Sequence, residues 1–161
     1  MLYLAKSMHQ LQFGKLMEVY TESNADKAEN GGLLQAEQDF YQYLQECFFT
    51  TPEAVYAIWM QNGAYVSALR LEPYKDGLLL AALETAPEHR RRGYAGKLIC
   101  AVLAAFPGKK IYSHISRKNT ASLAVHKKCG FRKIADTAVY IDGSVNPGAI
   151  TLCAQTTEKG L

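Results

Sequence analysis

A nearly unbroken apolar run, Leu78 to Ala86, lies at mid-chain, and its one charge is Glu84. Such a run reads as a strand covered on both faces, at the centre of a sheet. A basic, glycine-rich turn follows at once: Arg90-Arg91-Arg92-Gly93-Tyr94-Ala95-Gly96. From Gly93 the pattern is helical to Phe106, where Pro107-Gly108 stops it. Lys110 to Ile115 supplies the next strand. Strand, helix, strand in this order places two parallel neighbours inside the sheet.

The flanking segments build outward from that unit. Leu2 to Ser7 reads as a short first strand, and His9 to Ser23 as a helix. Asn24 to Gly32 is polar, ends in Gly31-Gly32 and reads as a loop. Leu33 to Phe49 is a second helix, because Leu33, Ala36, Phe40, Leu44, Cys47 and Phe48 recur at intervals of three and four. Ala54 to Gln61 and Ala64 to Leu71 form a hairpin through Asn62-Gly63, whose residues tolerate positive φ. Pro73 to Gly77 reads as a turn. Asn119 is placed to cap a helix through Lys128, with Gly130 as its stop. Phe131 to Ile141 and Ala149 to Ala154 read as a closing antiparallel pair. The order is β-α-α-β-β-β-α-β-α-β-β. It predicts an α/β (α+β) fold: a mixed sheet of about six to seven strands flanked by four helices. The 161 residues fit one domain, spanning 1–161.

Charge is strongly segregated. From His89 to Lys133 there are twelve basic residues and no acid, whereas the rest holds six bases and fifteen acids. The net charge of +3 is therefore a +12 segment set against a −9 remainder. A local anionic partner is implied, not a generally cationic protein. No apolar run approaches the roughly 18 residues of a membrane span. Cys47, Cys100, Cys129 and Cys153 lie far apart without a zinc-like spacing, so no metal is expected. A reduced, cytoplasmic protein without membrane contact is the expectation.

The turn at Arg90 to Gly96 has the features of a pyrophosphate cradle. Gly93, Ala95 and Gly96 let backbone N–H groups approach an anion. The helix N-terminus adds free donors and partial positive charge, and Arg90, Arg91 and Arg92 add charged ones. In context the sequence resembles the GNAT superfamily of acyl-CoA N-acyltransferases. That family's Arg/Gln-x-x-Gly-x-Gly/Ala signature reads Arg90-x-x-Gly93-x-Ala95 here. Its second element reads Asn119-Thr-Ala-Ser122-Leu-Ala-Val-His126-Lys-Lys-Cys-Gly130-Phe131. The motifs cover about Leu78 to Phe131, and the remainder matches by element order.

The resemblance implies a GNAT-like fold and transfer of an acetyl group from acetyl-CoA to a primary amine by direct attack in a ternary complex. It places the cofactor on Thr85, Arg90, Arg91, Arg92, Gly93, Tyr94, Ala95, Gly96, Lys97 and Asn119. His126 stands where the family usually has a tyrosine that protonates the leaving thiolate, and it is the candidate catalytic acid, the alternative being a partly buried polar residue with the thiolate leaving by solvent help. An imidazole with an ordinary pKa near 6.5 is only partly protonated at neutral pH, so this departure bears on the acid step. His114, on the strand after the cofactor helix, and Glu84 are the candidate bases; Glu84 alternatively binds the substrate ammonium or pairs with one of the adjacent arginines. Residues 1 to 88 hold twelve acids and five bases, which would suit a cationic small-molecule or peptide amine. Glu22, Asp26, Glu29, Glu37 and Asp39 are available there. The competing readings are a catalytically weak acyl-CoA sensor or scaffold and, less favoured, a nucleic-acid-binding module built on the basic segment. A monomer or a homodimer fits equally.

Overall fold

The computed structural model describes residues 1–28 and 32–157. Its strands are β1 (Leu2–Ala5), β2 (Val55–Gln61), β3 (Ala64–Tyr74), β4 (Gly77–Thr85), β5 (Lys110–Ser116), β6 (Arg132–Ala135), β7 (Ala138–Val139), β8 (Val145–Asn146) and β9 (Ala149–Gln155). Its α-helices are α1 (Phe13–Val19), α2 (Thr21–Lys27), α3 (Gly32–Tyr43), α4 (Tyr94–Ala105) and α5 (Thr120–Lys128). Seven strands form one sheet in the order β1-β2-β3-β4-β5-β9-β6. The pairs are antiparallel except β4 and β5, which run parallel across the α4 crossover. This is the mixed α/β architecture the sequence predicts.

Each face of the sheet carries its own core. Leu69, Leu71, Leu80 and Ile111 pack against Leu98, Ile99 and Val102 of α4. On the opposite face Tyr56, Ile58 and Ala68 pack against Leu16, Val19, Leu44 and Phe48. The apolar spacing of α4 follows from the first burial, whereas α3 buries no residue: of its expected stripe only Leu44 and Phe48, in the turn that follows, are buried, and Leu33 and Cys47 are exposed.

Local differences from the sequence expectation have physical causes. The helix expected over His9 to Ser23 is a 3₁₀ turn at Met8–Gln10, then α1 and α2, broken at Tyr20. Tyr20 is buried, and its hydroxyl donates to the Ala82 carbonyl at 2.7 Å, so tertiary contact sets the break. Helix α2 also runs on to Lys27, inside the expected loop, while Gly31 lies outside the described residues. Helix α3 ends in a π turn, Leu44–Phe48, with Phe49 N–H on the Leu44 carbonyl at 2.9 Å. Pro73 belongs to β3, and the β3–β4 turn is tighter than expected. The Asn62-Gly63 turn has φ of 51° and 80°, as such a hairpin requires. The long strand expected over Phe131 to Ile141 divides: β6 joins the sheet beside β9, and β7 leaves it to pair with β8.

Two features of β4 prepare the site. Its pairing with β5 ends at Leu80↔Ser113, while both strands continue, so they splay apart beyond that point. Against β3, Arg70 pairs with Ala81 but Ala68 pairs with Glu84, so three steps on β4 oppose two on β3. Ala82, at φ of 55°, is the bulge. A bulge shifts the side-chain alternation. Here it turns Glu84 to the Ala68 face, toward α1–α3.

Candidate active site

The turn from β4 to α4 presents a row of free donors. Arg90 N–H reaches the Pro87 carbonyl at 3.5 Å, and Lys97 N–H reaches the Gly93 carbonyl at 3.1 Å. Between them, among the described residues, the amides of Arg91 through Gly96 donate to no backbone carbonyl. Arg91 and Gly93 have φ of 63° and 79°, which folds the chain so that its N–H groups gather at the start of α4. A Cβ at Gly93 would meet nothing within 4 Å, and one at Gly96 only a methyl of Val125 at 4.0 Å, so the approach is open. Arg91, Arg92 and Lys97 are exposed at its rim, with Lys97 Nζ 5.2 Å from the centre of the Tyr94 ring. Arg90 points elsewhere. It pairs with Glu22, lies 3.7 Å from Glu84, and donates to the Thr85 carbonyl at 3.1 Å. Thr85 Oγ1 is 3.0 Å from Ser67 Oγ.

The splay between β4 and β5 opens a cleft of about 200 Å³ lined by Ala82, Leu83, Ser113, His114, Asn119 and His126, among others. The main chain of β4 beyond Leu80 has no strand on this edge, so it can accept an extended ligand as a further strand. Asn119 caps α5 by accepting from Ser122 N–H at 3.1 Å. His126 is 1% exposed. Its Nδ1 lies 2.7 Å from the Ser122 carbonyl and must therefore carry the proton of that bond. Nε2 is left to accept from Ser113 Oγ at 3.1 Å. Burial lowers the His126 pKa, so the ring is neutral at neutral pH.

His114 lies on the other face of β5. Its Nδ1 is 2.9 Å from Thr151 Oγ1, which itself donates to the Thr137 carbonyl at 2.8 Å, so Nδ1 is the protonated nitrogen. Nε2 is enclosed and without a hydrogen-bond partner, and the ring packs edge-to-face with Tyr74 and Tyr140. Burial lowers this pKa too, opposed by the nearby Val139 carbonyl.

On the α1–α3 side two adjoining cavities, of about 480 and 260 Å³, share Asn24, Lys27, Phe40 and Arg70. Glu84 lines the smaller one and also the groove that holds Thr85, Ala95 and Asn119. It accepts from Ser23 Oγ at 2.7 Å. Half-burial raises its pKa above the usual carboxylate value, with the Ser23 hydroxyl and Arg90 pulling the other way. Tyr56 donates to the Tyr20 hydroxyl at 2.6 Å, and Tyr20 donates on to Ala82 at the bulge.

The sequence pattern of the Acetyltransferase (GNAT) family matches residues 15–131. The chain belongs to the GNAT family. No curated protein matches it. Among solved structures it is similar to the ribosomal-protein-S18-alanine N-acetyltransferase of Escherichia coli, with 16% identity over 99% of this chain and 97% of that one at a TM-score of 0.64. It is similar to an aminoglycoside 6'-acetyltransferase type Ii, with 12% identity over 99% of both chains at 0.67. The PaiA N-acetyltransferase of Thermoplasma acidophilum, in complex with coenzyme A, matches with 12% identity over 96% and 99% at 0.63. At such identities these neighbours share the fold. As a GNAT protein the chain is an acyltransferase. The described residues include no helix long and apolar enough to cross a membrane.

One groove brings together Glu84, Thr85, Ala95 and Asn119 beside the α4 turn. His126 and His114 reach the adjoining cleft from opposite faces of β5, and each ring is engaged by its own neighbours. Glu22 is taken by Arg90, Asp39 lines the larger cavity, and Glu29 lies outside the described residues. Two residues that line the cleft and these cavities escaped the sequence reading. Ser113 gave no signal of its own. Arg70 did: it is the one charge in the apolar stretch Ala64 to Leu71, as Glu84 is in the next strand.

Proposed function

We propose that this single-domain GNAT protein transfers an acetyl group from acetyl-CoA to a primary amine by direct attack, with Glu84 receiving the amine and its proton. The observation that carries the reading is the position of Glu84, where the acceptor cavity meets the cofactor groove. Acetyl-CoA, when bound, supplies the activated acetyl group. The free amides of Arg91 through Gly96 would hold its pyrophosphate, supported by Arg91, Arg92 and Lys97. The open edge of β4 and Asn119 would align its extended arm in the cleft. That alignment contributes much of the rate by holding the reactants at contact distance.

A carboxylate with a raised pKa suits the base role, because it both attracts an ammonium and is better able to take its proton. Ser23 and Arg90 orient it. His114 keeps its Nε2 enclosed, so we assign it to the wall of the site. His126 is neutral and spends its one N–H on Ser122, so we assign it to fixing Ser113 in the cleft, not to protonating the thiolate.

The test is release of free thiol from acetyl-CoA over a panel of amines, amino acids, polyamines, aminoglycosides and peptides. Turnover with at least one amine is expected, with Glu84→Gln lowering kcat/KM by about 100-fold, the scale of general-base catalysis. His114→Gln is expected to cost far less. Absence of thiol release with every acceptor, in protein that still binds coenzyme A, would support the sensor reading instead.

A further inference from the structure

Arg70 is the unexplained group of the acceptor side. It projects from β3 on the same face as Glu84, and both line the smaller cavity. Its guanidinium carbon lies 5.1 Å from the Tyr43 ring centre and 5.9 Å from those of Phe40 and Phe48. Among the described residues it makes no ion pair, and its Nε is enclosed with no hydrogen-bond partner. The π turn and the end of α3 supply Tyr43 and Phe48, so the enclosure is built by the fold.

Three aromatic faces stabilise a cation but offer its N–H groups no in-plane acceptor. The Tyr56 hydroxyl lies beside the guanidinium, yet Nε stays buried and unpaired, so this half-buried guanidinium offers a site for an anion, and its planar fork matches a carboxylate. Glu72, its neighbour on β3, senses the charge yet stays beyond ion-pair distance. Lys27, which lines both cavities, adds a second positive charge. Tyr20 lines the same smaller cavity as Arg70 and Glu84. The smaller cavity thus carries one carboxylate, Glu84, and two cations, Arg70 and Lys27. The acidic balance of residues 1 to 88 does not describe it.

We propose that the acceptor is a small amino acid in the chemical sense, a molecule with an amine for Glu84 and a carboxylate for Arg70. This rests on the amine-acceptor reading above and narrows it. Arg70 sets acceptor specificity by pairing with the carboxylate, while Glu84 meets the ammonium.

The experiment compares kcat/KM for sets of matched acceptors: an α-amino acid, its carboxamide, its decarboxylated amine and its aminophosphonate analogue. The wild type is expected to favour the amino acid over its carboxamide and amine by about 30-fold or more, the scale of a buried charge pair. A still higher rate with the phosphonate would identify a phosphorus oxyanion as the true partner and overturn the carboxylate assignment. Arg70→Met, which keeps the packing against the rings, should bring the ratio to within about threefold of unity, and Arg70→Lys should fall between. Retention on immobilised coenzyme A checks that each variant is folded. A wild-type ratio near one, or a ratio that survives in Arg70→Met, overturns the inference. If neutral amines are turned over and amino acids are not, this inference alone fails. If no acceptor is turned over, the amine-acceptor reading fails with it.

Discussion

His126 shows how burial decides what a residue can do. The same side chain in water would be a proton donor near neutrality. Under α5, with Nδ1–H on a carbonyl and Nε2 on a hydroxyl, it is held neutral. Its lowered pKa also has a stability consequence. Between the lowered folded value and the ordinary value near 6.5, the unfolded chain binds the extra proton and the folded chain does not. Stability is therefore complete above pH 6.5 and is lost as pH falls through that window. The difference in urea-unfolding free energy between wild type and His126→Phe should shrink on going from pH 7.5 to pH 5.5. A difference independent of pH would contradict the assignment. In the same variant the pH dependence of turnover between 6 and 9 should keep its shape, whereas loss of a basic limb would mark His126 as the acid. Asn119 can be tested by the atom it keeps free. Asn119→Asp retains the cap oxygen and removes the amide donor, so stability should hold within about 0.5 kcal/mol. A raised KM for acetyl-CoA would then locate the cofactor at that donor.

At the scale of elements, the sheet was legible wherever local chemistry was decisive. Asn62-Gly63 fixed a hairpin, the run Leu78 to Ala86 fixed a central strand, and Asn119 and Gly130 bounded α5. The bulge at Ala82 left no mark, because an alanine at φ of 55° is held there by its neighbours and not by its own preference. It is nevertheless the feature that turns Glu84 toward the acceptor side. The break at Tyr20 escaped for a similar reason: a hydroxyl bond to β4 outweighs helix periodicity. The departure of β7 from the sheet likewise depends on partners distant in sequence. One glycine is demanded by packing between strands. A Cβ on Gly77 would lie 2.0 Å from the Lys110 carbonyl oxygen, in the backbone of the parallel neighbour. Gly77→Ala should destabilise the protein by about 2 kcal/mol or more, read from the urea midpoint. A midpoint equal to wild type would mean that the β4–β5 register is wrong.

For the whole molecule, the segregated charge acquires a partial explanation. Of the twelve bases between His89 and Lys133, Arg90, Lys110 and Lys133 are paired with acids, and Arg117 bonds the carbonyls of Asp136 and Pro147. Arg91, Arg92 and Lys97 remain at the α4 turn, beside a row of unpaired amides. The sequence pattern singled out that turn because glycines, arginines and a helix start are all local signals. It could not locate the cavities on the α1–α3 side, whose walls come from α2, α3, β3 and β4 and meet only in the fold. The central claim is that the α4 turn grips the pyrophosphate of coenzyme A. Calorimetric titration with coenzyme A and with pantetheine, which lacks that group, tests it most directly. Coenzyme A should bind at least about 100-fold more tightly, the scale of several charge-assisted hydrogen bonds. Equal affinity for the two would contradict the account.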